Sequence, residues 1–163
     1  MGAKVAIDVF DYITHLELER YRAIILHAAP EKGPAVTLFA QKICQRTGGK
    51  YLDLLELFIR SQSLSESIDS FGPEKLRALL IEQSQRQLLL IVDRVDFLID
   101  TWRKGERDGF YRMVKEQWDG YKDGMKVKLV ICLQTSQEID SEKIVDSQGQ
   151  SRIFRLTDFN DIL

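Results

Sequence analysis

Two aspartates follow the most apolar stretch of the sequence and are candidates for chemistry at a ligand site. Residues 88–92 are five large apolar side chains, and Asp93 and Asp96 come shortly after them. An unbroken apolar run of this length predicts a strand buried on both faces of a parallel sheet. Asp93 then stands at the carboxyl end of that strand, where open α/β sheets bind ligands. A carboxylate there can hold the Mg²⁺ that bridges nucleotide phosphates, but an ordinary core strand ending on a polar residue fits the same stretch.

A second candidate region is the loop after the first predicted strand, residues 28–35. A phosphate-binding loop reads G-x-x-x-x-G-K-[ST]: backbone N–H groups and the lysine hold phosphates, and the hydroxyl binds Mg²⁺. Aligned with this pattern, the chain keeps Gly33, but Pro34 replaces the lysine and Ala35 replaces the hydroxyl. Lys32 as a displaced lysine and Thr37 as a displaced hydroxyl are the substitutes that the sequence offers.

The elements that must position these residues alternate between strands and helices. Polar residues 61–70 are predicted to be a surface excursion, and residues 103–108 a charged connection. Strands are predicted at residues 22–27, 51–55, 88–92, 128–133 and 152–156, and helices at 3–19, at 33–47, from 73 onward and from about 110 to 122. This alternation predicts one α/β domain over residues 1–163, a three-layer fold with a five-stranded parallel sheet between helices. Residues 1–20 are predicted to form an amphipathic helix packed on the core.

The length, net charge and cysteine content of the sequence limit the classes of protein to which this chain can belong. A chain of 163 residues can form one domain with a substantial core. The net charge of −2 provides no overall basic field for nucleic acid or an anionic membrane. The apolar runs are too short to span a bilayer, and the first residues lack the order of a signal peptide. Cys44 and Cys132 are isolated, which favours reduced core thiols in a cytoplasmic protein over a disulfide or a metal site.

The order of the elements resembles that of P-loop NTPases of the AAA+ type over nearly the whole chain. In that family the phosphate loop follows the first strand and the magnesium aspartate ends the third. The resemblance implies a P-loop NTPase-like topology in which Asp93 is the metal ligand, and ATP and Mg²⁺ are the expected cofactors. It also implies nucleotide contacts from the loop and the helix after it, at Lys32, Gly33 and Thr37.

The same resemblance covers two further positions. A polar residue after the fourth strand senses the terminal phosphate in the family, and Thr135 in the group Gln134-Thr135-Ser136 stands there. Arg94 takes the place of the glutamate that orients water in many members. Asp96 is then the nearby carboxylate that could act as a catalytic base. The sequence is expected to lack the C-terminal helical lid of the family.

The chain is also similar to BrxF, the short P-loop component of type-three BREX phage-defence systems of bacteria. The similarity rests on its size, its single lidless core, the opening helix before residues 20–22 and the segments 51–54 and 93–100. Members usually keep an intact G-x-x-G-x-G-K-T loop, from which this chain departs. The resemblance implies partners encoded with it: a large ATPase, a methyltransferase or a phosphatase-like subunit.

Three functions of different classes follow from these observations. The preferred one is a degenerate P-loop adaptor or regulatory subunit of a BREX-like complex, with weak or no nucleotide hydrolysis. The second is an unconventional ATPase that uses Lys32, Asp93, Asp96 and Thr135. The third is a DNA-binding accessory subunit, whose basic clusters at 103–107 and 122–128 are interleaved with acidic residues. Five aromatic residues are either interface contacts or core: Trp102, Phe110, Tyr111, Trp118 and Tyr121.

Overall fold

A five-stranded parallel sheet forms the centre of the computed structural model, which describes residues 9–121 and 126–156. The strands are β1 (Ala23–Ala28), β2 (Lys50–Asp53), β3 (Leu89–Asp93), β4 (Lys128–Gln134) and β5 (Ile153–Arg155). Their order in the sheet is β2-β3-β4-β1-β5. The register aligns Ile25 of β1 with Ile131 of β4 on one side and with Ile153 of β5 on the other.

Helices cover both faces of this sheet. They are α1 (Val9–His15), α2 (Gly33–Thr47), α3 (Leu54–Arg60), α4 (Gln62–Glu66), α5 (Pro73–Gln83), α6 (Asp96–Ile99), α7 (Lys104–Arg112) and α8 (Gln137–Ser141). Short 3-10 turns occur at Leu16–Leu18, Pro30–Lys32 and Ile68–Ser70, and a π-helical turn at Met113–Gln117 follows α7. None of the helices within the described ranges is both long and apolar enough to cross a membrane.

Successive apolar side chains of each strand point to opposite faces of the sheet, and this divides the core into two clusters. Ile25 and Leu90 belong to the cluster under α3, α5 and α7, whereas Ile24 and Ile91 belong to the cluster under α1 and α2. Successive side chains of a strand point to opposite faces, so an uninterrupted apolar strand serves both clusters. The predicted three-layer α/β fold with P-loop NTPase-like topology is therefore confirmed.

Helix α2 lies directly after β1 and ends as the sequence predicts. Val36, Phe39 and Ile43 are buried on its inner face. Gly48 follows the last turn with φ of 72°, and its N–H donates to the carbonyl of Cys44 at 2.9 Å. This left-handed glycine is a common way for a helix to end.

The second strand is shorter than the predicted 51–55, because Asp53 begins a helix. Its side chain accepts a hydrogen bond from the N–H of Glu56 at 3.1 Å. An aspartate in this capping position stabilises the exposed N–H groups of a first turn. Leu54 and Leu55 consequently belong to α3, which is anchored in the core by Phe58.

The predicted connection at 103–108 is wrong, since most of it is α7. Glu106 accepts a hydrogen bond from the N–H of Arg103 at 3.1 Å, and Lys104 pairs with Asp108 one turn later at 3.2 Å. Charges at this spacing stabilise an exposed helical turn. Helical structure ends at Gln117, and the predicted terminator at 123–124 lies outside the described residues.

Of the predicted helix 3–19, only the part from Val9 can be compared with the structure. This part ends at His15, before a 3-10 turn.

Most of the five aromatic residues named as interface candidates are core. Trp102, Phe110, Tyr111 and Trp118 are each at most 5% exposed, so an interface role for these four is wrong. Tyr121 is 66% exposed. Cys44 and Cys132 are both buried, in agreement with their predicted position in the core.

Candidate functional site

A cleft opens where the carboxyl ends of β1, β3 and β4 meet. Its volume is about 680 Å³, and it lies between the start of α2 and the segment after β3. Parallel strands with helices on both faces leave such a crevice at their carboxyl edge. Four of the six predicted site residues line it: Gly33, Thr37, Asp93 and Asp96.

Asp93 is 4% exposed, and three hydrogen-bond donors surround its carboxylate. Oδ2 accepts from the hydroxyl of Thr37 at 2.6 Å and from the hydroxyl of Tyr51 at 2.7 Å. Oδ1 accepts from the N–H of Arg94 at 2.9 Å. These donors offset the cost of removing the charge from water. A Mg²⁺ ion at Oδ2 would have to replace one of the two hydroxyls.

Thr37 therefore lies beside Asp93, as the displaced-hydroxyl hypothesis requires. Tyr51 is the site residue that sequence reasoning missed. Burial, followed by the hydrogen bond to Asp93, raises the pKa of its phenol, so that Tyr51 stays a protonated donor. The sequence did show a tyrosine in the predicted second strand. It did not show that this strand pairs with β3 in the register that brings Tyr51 to Asp93.

The loop after β1 differs from a phosphate-binding nest. Pro30–Lys32 is a 3-10 turn, in which the N–H of Lys32 donates to the carbonyl of Ala29 at 2.9 Å and the N–H of Gly33 donates to the carbonyl of Pro30. Pro30 and Pro34 have no N–H. The side chain of Lys32 is exposed and does not line the cleft. The structure thus separates Lys32 from Thr37 and Asp93.

Gly33 lines the cleft in an ordinary helical conformation with φ of −50°. A Cβ atom added there would meet nothing within 4 Å. Neither the backbone nor the protein packing therefore requires a glycine at this position.

Asp96 lies between the cleft and a neighbouring cavity of about 530 Å³, both of which it lines. Its Oδ1 accepts a hydrogen bond from the N–H of Gln134 at 2.9 Å. Burial raises the pKa of Asp96 above its ordinary value, partly opposed by this hydrogen bond. A raised pKa suits a carboxylate that accepts a proton, which is the chemistry predicted for this residue.

Thr135 lies on the far side of Asp96 and lines the neighbouring cavity instead of the cleft. Its hydroxyl is 2.8 Å from Nδ1 of His27, and its N–H donates to the carbonyl of Ala28 at 2.8 Å. The residue predicted to sense a terminal phosphate therefore contacts the neighbouring strand β1.

Arg94 is the only basic residue among the described residues that line the cleft. Its φ is 60°, a conformation that non-glycine residues rarely adopt. Its Nε lies 3.4 Å from Oδ1 of Asp53 at the end of the neighbouring strand. Arg94 thus forms an ion pair with Asp53 at the rim of the cleft.

Basic residues of the predicted DNA-binding clusters are largely paired with acids. Lys104 pairs with Asp108, Arg107 with Glu138 at 2.8 Å, and Lys128 with Glu17 at 3.0 Å. Lys122 lies outside the described residues. These pairs leave less positive charge for phosphate contacts than the sequence suggests.

Comparisons with known proteins add no assignment, because neither a protein family model nor a curated protein matches the chain. The structure itself shows a three-layer α/β domain with a five-stranded parallel sheet and a cleft at its carboxyl edge.

Proposed function

We propose that this chain is a degenerate P-loop-like adaptor or regulatory subunit that binds a protein partner at the cleft, with weak or no nucleotide hydrolysis. The supporting observation is the lining of the cleft. Apolar side chains form much of it, and its charged groups within the described residues are Asp93, Asp96 and Arg94. One arginine against two aspartates is a poor match for the several negative charges of a nucleoside triphosphate.

An apolar side chain from a partner protein fits this lining better. Leu38 is 59% exposed on α2 at the rim of the cleft, and the half-buried Leu55 and Phe97 also line it. Large apolar residues that surround a concave surface are typical of protein-binding sites. In the proposed function the partner is another subunit of a bacterial BREX-like antiphage system in the cytoplasm: a large ATPase, a methyltransferase or a phosphatase-like protein. Any contact with DNA is then indirect.

The test is to co-express the chain with the proteins encoded beside it and to measure complex formation by size-exclusion chromatography. Leu38→Asp places a charge at the rim and should abolish the complex. Ile59→Asp is the matched control, because Ile59 is 69% exposed on α3 and does not line the cleft. Phage plating with the same two variants gives a second readout. A complex that tolerates Leu38→Asp, or fails to form with the wild-type chain, would contradict the proposal.

One observation favours the alternative of Mg-ATP binding, namely the contact between Thr37 and Asp93. In this function the two residues hold Mg²⁺, and Asp96 is the base for any hydrolysis. Calorimetry with ATP and Mg²⁺ separates the two functions: the adaptor predicts no heat at millimolar ATP. Binding that Asp93→Ala and Thr37→Val remove, and that Lys32→Ala leaves unchanged, would support the alternative.

A further inference from the structure

Three side chains that can ligate a metal lie close together, and none of them lines the cleft. His15 ends α1, Glu19 follows the 3-10 turn after it, and Asp146 lies in the loop between α8 and β5. One ligand atom from each lies within 4.8 Å of the other two. Glu19 is 5% exposed and Asp146 is 8% exposed, so these are buried carboxylates and not a surface acidic patch.

We propose that His15, Glu19 and Asp146 form a binding site for a divalent transition-metal ion of the Zn²⁺ class. Nε2 of His15 lies 3.4 Å from Oε2 of Glu19 and 3.7 Å from Oδ2 of Asp146. Ligands about 2.0–2.2 Å from a tetrahedral Zn²⁺ are separated from each other by roughly 3.3–3.6 Å. An ion between the three side chains therefore reaches all of them with small movements.

Hydrogen bonds already hold both carboxylates in place. The N–H of Ser147 donates to Oε1 of Glu19 at 2.8 Å, and its hydroxyl donates to Oε2 at 2.5 Å. The hydroxyl of Tyr12 donates to Oδ2 of Asp146 at 2.9 Å. Each proposed ligand oxygen thus keeps one lone pair for an ion, and its orientation is set by a second group, as in known metal sites.

Charge balance is the second observation that indicates a cation. Arg152 is 1% exposed and lies close enough to interact with Glu19 and Asp146. Its guanidinium, however, donates to four backbone carbonyls, those of Ala23, Val114, Lys115 and Val145. One buried guanidinium balances only one of the two carboxylate charges. The N–H groups of Gln148 and Gln150, which donate to Oδ1 of Asp146, offset part of the cost of burying the second. A cation between the carboxylates supplies the missing charge.

The type of ligand selects the metal. An imidazole nitrogen with two carboxylates suits Zn²⁺ and similar ions, whereas Mg²⁺ and Ca²⁺ prefer oxygen ligands alone. The side chain of His15 is 26% exposed, which leaves a route for solvent to a fourth coordination position. An ion here would connect the end of α1 to a loop more than 120 residues away in the sequence, a structural role that is independent of the cleft.

The first test is titration of chelator-treated protein with Zn²⁺ by calorimetry and with Co²⁺ by visible absorption. We expect one ion per chain, a tetrahedral-type Co²⁺ spectrum and a higher melting temperature with Zn²⁺. His15→Gln and Asp146→Asn should weaken binding on the order of 100-fold or more. Glu17→Gln is the matched control, since this exposed glutamate lies between the ligands in sequence and pairs with Lys128.

Two outcomes would overturn the proposal. Chelator-treated wild-type protein that binds neither ion would show that hydrogen bonds and ion pairs alone hold these three side chains together. Binding of equal affinity in His15→Gln would place the ion elsewhere. Circular dichroism of each variant checks its fold, and the wild-type titration stands even if a variant does not fold.

Discussion

At the scale of single residues, Asp93 connects the cleft to the core. Its donors come from three places: Thr37 on α2, Tyr51 on β2 and the backbone of Arg94. A buried carboxylate is tolerated only when such donors replace water. The same arrangement holds α2 and β2 against the end of β3, so Asp93 has a structural role whether or not the cleft binds a nucleotide.

Removal of either hydroxyl should therefore destabilise the fold. Thr37→Val and Tyr51→Phe are each expected to lower the free energy of unfolding by about 1–3 kcal/mol, because each leaves the Asp93 carboxylate with one donor fewer. Urea denaturation followed by circular dichroism measures the change. Thr37→Ser keeps the hydroxyl and should lose much less. Equal stability of Thr37→Val and the wild type would show that the contact is dispensable.

Asp96 should give the stability a distinct pH dependence. Because its pKa is raised above 3.8 in the folded state, the folded chain binds this proton more tightly than the unfolded chain does. The resulting stabilisation is complete below pH 3.8 and is lost as the pH rises through the raised pKa. Asp96→Asn cannot ionise and should lack this loss.

The measurement is the unfolding free energy of both proteins at several pH values from 3.5 upward. The stability of Asp96→Asn relative to the wild type should increase over this window and then level off, while the contributions of the other carboxylates cancel in the difference. A difference that does not vary with pH would contradict the raised pKa.

At the scale of elements, α2 delivers Gly33 and Thr37 to the cleft and depends on its two ends. Gly48, with φ of 72°, closes the helix in a conformation that costs a residue with a Cβ about 1 kcal/mol. Gly33 has a helical φ and open space around it. The backbone conformation therefore favours glycine at position 48 but not at position 33.

We expect Gly48→Ala to lower the free energy of unfolding by about 1 kcal/mol and Gly33→Ala to leave it unchanged or raise it by up to about 1 kcal/mol. Thermal and urea unfolding compare the two variants directly. If Gly33→Ala is instead the more destabilising change, the open space beside Gly33 is occupied in the native protein. If Gly33→Ala keeps its stability but loses a ligand, the glycine serves close approach of that ligand.

At the scale of the whole molecule, the two core clusters share the same strands. Leu90 and Val92 face one cluster, and Leu89 and Ile91 face the other. Loss of either helical layer exposes one face of a sheet that is built to be buried on both sides. The layers should consequently unfold together.

This predicts a single cooperative transition. Trp102 and Trp118 both belong to the cluster under α5 and α7, so tryptophan fluorescence reports that layer, while far-ultraviolet circular dichroism reports the helices of both layers. The two transitions are expected to coincide in urea. A second transition seen only by circular dichroism would mean that α1 and α2 unfold independently.

The sequence was a good guide to the elements with strong periodicity. The run at 88–92 predicts β3 within one residue, with Leu88 left 79% exposed before it, and Gly48 correctly ends α2. The sequence prediction missed the end of β2 at Asp53, whose side chain caps α3. It also missed the whole of α8, which Ser136 caps by accepting a hydrogen bond from the N–H of Ile139 at 3.2 Å. Residues 104–108 were predicted to be a connection because few of them are apolar. The spacing of Lys104 and Asp108, one helical turn apart, was the signal for a helix that the prediction did not use.

Alternating apolar strands and amphipathic helices by themselves determined the three-layer fold and its site at the carboxyl edge. These features follow from local spacing, which the sequence shows directly. Only the tertiary structure decided that Thr37 and Tyr51 meet Asp93, that Lys32 lies outside the cleft, and that His15 and Glu19 meet Asp146. Such contacts depend on strand register and on loop conformation between residues distant in the chain, and no local pattern encodes them.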